Sequence, residues 1–174
     1  STETWKLKYG SGNKYILPLD LEMLVRSHAF CAAHLPSIEC HKEIGNIFFN
    51  EDTCKKFDLI MPVDIEERIG IHIRHSDKTA TASYEDVLQR FCDKKIFLAT
   101  DSEIVKQHAL SLNIDLTCIS TILHDGKESG GVHHRTLDDE EKIKVFEEGA
   151  LDMYCLTKCC MFVGQSNSSF SRVV

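Results

Sequence analysis

The sequence predicts an α/β protein built on an open parallel β-sheet. Two observations lead to this fold class: strand-like and helical segments alternate from residue 69 onward, and several of the strand-like segments are almost continuously apolar. Continuous apolar runs are typical of strands that are buried on both faces of a parallel sheet, and the alternation is typical of βαβ units. We therefore expect each strand to be followed by a helix that returns the chain across the sheet.

Residues 1–68 differ from the rest of the chain. Two strand-like stretches, "TWKLKYG" and "KYILPL", precede two helix candidates, "LEMLVRSHAFCAAHL" after Asp20 and "SIECHKEIGNIFF" opened by Ser37. The next stretch, "FDLIMPVDIEER", contains a proline and four acidic residues, and we interpret it as a connector. We therefore predict a short N-terminal segment over residues 1–68 and an α/β domain over residues 69–174.

The α/β domain contains four predicted strands, "IGIHIR", "KKIFLAT", "IDLTCIS" and "CMFVG". Between them lie three predicted helices, "SYEDVLQRFC" capped by Ser83, "SEIVKQHALSL", and "DDEEKIKVFEEGALDMYCLTKC", whose acidic start suits the helix dipole. The last stretch, "SNSSFSRVV", is typical of a helix start, so we expect the domain to be truncated at its C-terminus.

Composition narrows the class of protein. The chain has 174 residues, is 43% hydrophobic, and can bury a substantial core. Its net charge of -7 does not favour nucleic acid or an anionic membrane as a partner, and no apolar run reaches the roughly 18 residues that a transmembrane helix needs. We interpret most of the eight cysteines as core residues, with a disulfide framework as the alternative. A cytoplasmic protein is expected; the alternative is the secretory-pathway lumen, if the chain is a fragment.

Polar residues follow every predicted strand, at the edge where open parallel sheets bind ligands. Arg74 follows the first strand, Asp101 and Ser102 follow the second, and a loop with two histidines and Arg135 follows the third. The fourth strand leads into a serine-rich turn at 166–169. Arginine matches phosphate oxygens in pairs, and hydroxyls at a helix start bind anions, so these residues predict a nucleotide site.

Each of these residues also has a structural interpretation. Arg74 can be an ion-pair partner, Asp101 and Ser102 can cap the following helix, and the serine turn can be a plain helix start. The combination of four polar strand ends favours a diphosphate held between Arg74 and the turn at Ser168 and Ser169.

The motifs "IGIHIRHSDK", "IFLATDS", "GGVHHRT" and "GALDMYCLTKCCMFVGQSNSSFSR", taken together, resemble the nucleotide-binding half of the α1,6-fucosyltransferases. The resemblance covers about residues 69–174 in order and spacing. It implies a GT-B fold with two Rossmann-like halves, and transfer of fucose from a GDP-fucose donor to a glycan acceptor with inversion. It implies no metal and no other cofactor, and residues 1–68 would then be a shortened remnant of the acceptor-side half.

The resemblance also implies roles for individual residues. Arg74 would grip the donor diphosphate and act in catalysis, while His72, on the same face of the strand, would pack beside the donor. Many such enzymes have a second arginine where this chain has His75, which changes the expected donor affinity. The remaining donor-site positions are Asp77, Asp101, Arg135, Ser168, Ser169 and Phe170. Among them Asp101 would contact guanosine, the last three would hold the phosphates, and the general base is not identified, with Asp77 as a candidate.

Two alternatives stay open. The histidines and cysteines at positions 28, 31, 34, 40 and 41 could form a metal cluster, although the segment also has the amphipathic pattern of a packed helix, which we favour. The chain could also be a non-catalytic protein that binds nucleotide sugars or other partners, a truncated relative of the same family.

Overall fold

The computed structural model describes residues 49, 51–75, 83–121, 123–125, 137–166, 168, 170–171 and 174. These residues form α1 (Glu51–Ile60), a short 3-10 helix (Ile65–Glu67), β1 (Ile69–Ile73), α2 (Tyr84–Arg90), β2 (Ile96–Thr100), α3 (Glu103–Ser111), β3 (Leu116–Thr117), α4 (Asp139–Lys158) and β4 (Met161–Val163). The predicted alternation of strand and helix is confirmed. The elements predicted before residue 49, and the histidine–cysteine cluster among them, lie outside the described residues.

The four described strands form one parallel sheet in the order β3-β2-β1-β4. The chain moves outward from β1 to β3 and then returns to place β4 on the other side of β1. This order is that of a Rossmann-like half, and it reverses direction between β1 and β4. The carboxyl ends of these two strands therefore lie side by side, at the point where such sheets bind ligands.

Both faces of the central strands are buried, as their continuous apolar runs predicted. Every residue of β1 and β2 is buried. One face packs under α2 and α3 through the isoleucines of β1 together with Ile96 and Leu98. The other face, with Phe97 and Ala99, packs under α4. The result is a three-layer α/β/α arrangement whose core is centred on β1 and β2.

The helices begin where the sequence predicted. Ser83 accepts a hydrogen bond from the backbone N–H of Glu85 at 3.2 Å, and Ser102 accepts one from Val105 at 3.4 Å. Asp138 closes a capping box at the start of α4, because its carboxylate accepts the N–H of Glu141 at 2.8 Å. The third strand is shorter than predicted, since within the described residues only Leu116–Thr117 of this segment pair with β2.

The interpretation of residues 57–68 as a connector is wrong in its first part. Residues 57–60 complete α1, and the ring of Phe57 lies 5.5 Å from that of Tyr154 on α4. Ile65, in the 3-10 helix, joins the same core cluster. The helix was missed because it has only two buried residues, Thr53 and Phe57, which is too few to give a clear helical period.

The six described cysteines are free. Cys155 is fully buried in the core, as predicted, and Cys159 is half-buried. Cys160 differs from the prediction, because it is exposed and its thiol donates to the backbone carbonyl of Arg68 at 3.2 Å. Within the described ranges, no helix is both long and apolar enough to cross a membrane.

Candidate functional site

The backbone that follows β1 is bound by the carboxylate of Asp101, which follows β2. Oδ1 of Asp101 accepts the backbone N–H of His75 at 2.8 Å, and Oδ2 lies 3.8 Å from Nε of Arg74. The capping of α3 falls to Ser102 rather than to Asp101. The ion pair of Arg74 is long, and the arginine side chain is 17% exposed, so a phosphate with closer oxygens can compete for the guanidinium.

The turn after β4 meets the same exit. The side-chain carbonyl of Gln165 accepts the backbone N–H of Arg74 at 2.7 Å, and the backbone carbonyl of Gln165 accepts the N–H of Ser168 at 3.1 Å. Ser168 is fully buried, and within the described part of the chain its hydroxyl has no hydrogen-bond partner. A buried unpaired hydroxyl is costly, and it is a group that can still bond to a ligand or a water.

His72 lies beneath this exit as a neutral, packed side chain. Its ring stacks on Phe170 with the centroids 4.5 Å apart and the planes inclined by 28°, and its Nδ1 lies 2.5 Å from Oγ of Ser171. Burial, and to a smaller extent the positive charge of Arg74, lower the pKa of His72 to about 3. The imidazole is therefore uncharged at neutral pH.

His75 has different surroundings from the arginine beside it. Its side chain is exposed, and its ring meets Tyr84 of α2 edge-on at 5.1 Å. Tyr84 in turn meets His108 of α3 at 5.6 Å. His75 is thus part of an aromatic row with Tyr84 of α2 and His108 of α3.

A buried carboxyl on α4, Asp152, was missed by the sequence analysis. It is 4% exposed, the hydroxyl of Ser120 donates to its Oδ2, and within the described residues its Oδ1 has no partner. Burial raises the pKa of Asp152 to about 7, and the nearby Glu148 acts in the same direction. The signal was present in the sequence, because Asp152 falls in the apolar stripe of α4 that also contains Cys155 and Leu156.

The structure thus brings together most of the predicted site residues. The described ones lie at or just after the carboxyl ends of three neighbouring strands: His72, Arg74, His75, Asp101, Ser168 and Phe170. Asp77, Arg135 and Ser169 lie outside the described residues. Within the described ranges, no group of three or more histidine, cysteine or acidic side chains is arranged to hold a metal.

The fold and this site define a Rossmann-like half with its polar groups gathered at the topological switch point. Among solved structures, the chain is similar to the NodZ α-1,6-fucosyltransferase crystallised with GDP, with a TM-score of 0.50 and 19% sequence identity. It is also similar to fucosyltransferase NodZ from Bradyrhizobium, with a TM-score of 0.51 and the same identity. At this identity the likeness shows the fold. No protein-family model and no curated protein matches the sequence.

The structural alignments cover most of this chain but only part of the NodZ chains. The two alignments cover 87% of this chain but only 57% and 58% of the NodZ chains. The chain therefore spans less than two thirds of the length of the structures that it resembles.

Proposed function

We propose that this chain is the donor-binding half of a glycosyltransferase that uses a GDP-sugar, with fucose as the transferred sugar. The observation that carries the proposal is the junction of β1 and β4, where the backbone of Arg74 is hydrogen-bonded to Gln165 and lies beside the turn that buries the hydroxyl of Ser168, a group with no partner among the described residues. The similar NodZ structures support the choice of GDP, since one of them was crystallised with it.

Arg74 is the proposed contact with the diphosphate. Negative charge grows on the β-phosphate as the bond to the sugar breaks, and a fixed guanidinium stabilises that charge. The ion pair with Asp101 is 3.8 Å long, and two shorter charge-assisted hydrogen bonds to phosphate oxygens can replace it. In this mechanism the guanidinium stabilises the leaving group, and no bound metal ion takes part. The proposed reaction is an inverting transfer of the sugar to a glycan acceptor.

Asp152 extends the proposal towards the nucleotide base. Ser120, its partner, follows β3, and two strand spacings separate β3 from β1, about 10 Å. A nucleoside diphosphate that places its phosphates over β1 and β4 can therefore place its base near α4. Within the described residues, Oδ1 of Asp152 is buried and has no partner; if the chain opens to admit the base, this oxygen can accept a hydrogen bond from the N–H groups of guanine, whereas adenine presents an acceptor at the equivalent ring nitrogen.

Calorimetry with GDP, UDP and ADP tests the donor site. We expect the wild-type protein to bind GDP most tightly, and we expect Arg74→Ala to weaken GDP binding by about 10- to 100-fold, because charged hydrogen bonds contribute about 1.5–3 kcal/mol. Arg90→Ala is the matched control, since it removes the same charge from the exposed end of α2. Unchanged affinity in Arg74→Ala would remove this arginine from the site.

Turnover separates the enzyme from a binding protein. Incubation with GDP-fucose and a glycan acceptor is expected to release GDP at a rate that depends on Arg74. If GDP-fucose binds but is neither transferred nor hydrolysed, the chain is instead a nucleotide-sugar-binding protein of the same fold.

A further inference from the structure

A chain of hydrogen bonds connects the segment after β4 to the end of β1. The backbone N–H of Gln165 donates to Oγ of Ser171 at 3.0 Å, and that oxygen lies 2.5 Å from Nδ1 of His72. The side chain of Gln165 holds the backbone of Arg74 at 2.7 Å. Gln165, the first polar residue after the fourth strand, and Ser171, for which the sequence predicted no role, thus contact two residues of the candidate site.

A serine hydroxyl can accept two hydrogen bonds and donate one, so the proton between Ser171 and His72 is assigned by the acceptor that the hydroxyl hydrogen can reach. Ser171 Oγ accepts from Gln165, and in the described part of the chain the only acceptor within reach of its own hydrogen is Nδ1 of His72. His72 is buried and uncharged, so it carries one N–H, and an accepting Nδ1 places that hydrogen on Nε2. Stacking on Phe170 fixes the plane of the ring.

Gly164 makes this contact possible. A Cβ at this position would lie 2.8 Å from Cβ of Ser171 and 2.6 Å from the ring of Phe162. Both distances are shorter than ordinary carbon–carbon contacts, so any larger residue would push the turn away from Ser171. The local sequence therefore brings the backbone of Gln165 within hydrogen-bonding distance of the serine.

We propose that Ser171 and Gln165 are positioning residues, of which Ser171 holds His72 as the Nε2–H tautomer and Gln165 fixes the backbone that presents Arg74. The consequence for donor binding rests on the proposed function, whereas the tautomer is a property of the chain alone. A neutral histidine fixed in this way offers a ligand oxygen a hydrogen-bond donor rather than a lone pair. That choice suits a phosphate or hydroxyl oxygen beside Arg74.

Nitrogen-15 spectroscopy of the histidine rings tests the tautomer without any ligand. We expect the wild-type spectrum of His72 to show a protonated Nε2 and a bare Nδ1, and we expect Ser171→Ala to shift it towards a mixture of the two tautomers. Ser171→Thr keeps a hydroxyl and should restore the wild-type pattern. Ser111→Ala is the matched control, because it deletes a serine hydroxyl at the end of α3. A protonated Nδ1 in the wild-type protein, or an unchanged spectrum in Ser171→Ala, would overturn the proposal.

GDP affinity then tests the consequence. In Ser171→Ala we expect GDP binding to weaken by about 3- to 10-fold, the usual worth of one hydrogen bond, with recovery in Ser171→Thr. Wild-type affinity in a Ser171→Ala protein whose tautomer has changed contradicts a positioning role for the serine. Failure of the wild-type protein to bind GDP counts against the proposed function alone, since the spectrum still decides the tautomer.

Discussion

His72 and Asp152 are two titratable side chains that burial keeps uncharged at different pH values. The pKa of His72 falls to about 3, so the ring stays neutral across the physiological range. The pKa of Asp152 rises to about 7, so its carboxyl group is protonated in mildly acid solution and becomes charged near neutrality. Asp152 lies on α4, and His72 lies on the face of β1 that α4 covers, two residues after Gly70.

The raised pKa of Asp152 predicts a loss of stability as the pH rises. Between the ordinary aspartate value of 3.8 and about 7, the folded protein keeps a proton that the unfolded chain has released, so the free energy of unfolding falls with increasing pH. The fall is at most about 4 kcal/mol, the equivalent of three pKa units. Asp152→Asn cannot titrate and should lack this component, which urea unfolding of both proteins at a series of pH values would measure.

The difference between the two unfolding curves isolates Asp152 from the other carboxylates. The stability of the asparagine variant relative to wild type should improve from pH 4 to pH 7 and then level off. Parallel pH profiles for the two proteins would mean that the carboxyl group titrates normally in the folded state. Asp86→Asn, on the first turn of α2, provides the control for removing an acidic group elsewhere.

At the scale of the elements, the closeness of β1 and α4 depends on a glycine. A Cβ at Gly70 would lie 2.8 Å from Cδ2 of Leu156 and 3.0 Å from Sγ of Cys159, both on or at the end of α4. On this face of β1, Gly70 has no side chain and His72 is the next residue. The absence of a Cβ at Gly70 leaves room for α4 to cover the strand. The helix in turn brings Asp152 to the sheet.

We expect Gly70→Ala to destabilise the protein by about 1–3 kcal/mol, the usual cost of overfilling a packed core. Gly149→Ala makes the same change within α4, where a Cβ would meet nothing within 4 Å, and should stabilise by about 0.5–1 kcal/mol because alanine is the better helix former. Urea unfolding with equal slopes for the three proteins gives both values. A neutral Gly70→Ala would show that α4 can shift away from β1 without loss.

The sequence predicted the elements that have strong local signals. Apolar runs located β1 and β2, and Ser83 and Asp138 marked helix starts, because burial and capping are decided by the residues themselves. It missed α1, which is held by the packing of Phe57 against Tyr154 of α4, a residue distant in the sequence. It missed the role of Ser171, because its partner His72 is 99 residues away along the chain. It overlooked Asp152 although the apolar stripe of α4 marked it, and the partner of Asp152, Ser120, is 32 residues away.

On the scale of the whole molecule, the two edges of the sheet have different compositions. The candidate site lies at the carboxyl edge. At the amino edge, one buried arginine contacts residues at the starts of the strands. The guanidinium of Arg68 pairs with Asp64 at 2.8 Å and with Asp115 at 2.9 Å, and it donates to the backbone carbonyl of Ile96 at 3.2 Å. The carbonyl of Arg68 accepts the N–H of Cys160 at 3.0 Å. Groups at the start of all four described strands therefore meet at this residue.

Arg68→Met tests whether the two edges are independent. The substitution keeps much of the side-chain volume but leaves Asp64 and Asp115 without their shared cation, and removing one partner of a buried pair costs about 3–5 kcal/mol. We expect less than this, about 1–3 kcal/mol, because Asp64 keeps its ion pair with Lys95 and the side chain of Asp115 is 53% exposed and can be rehydrated. Arg68→Lys should recover only part of the loss, since an ammonium cannot make the paired contacts of a guanidinium.

GDP affinity of the folded Arg68→Met protein, measured well below its unfolding temperature, completes the test. Arg68 lies at the opposite end of β1 from Arg74, separated by the five buried residues Ile69–Ile73, so removing it should lower the melting temperature and leave the affinity within about 3-fold of wild type, about 0.7 kcal/mol. A larger loss of affinity in protein that is still folded would mean that strain at the amino edge reaches the candidate site. The sheet would then transmit changes between its edges rather than act as the rigid support that its packing implies.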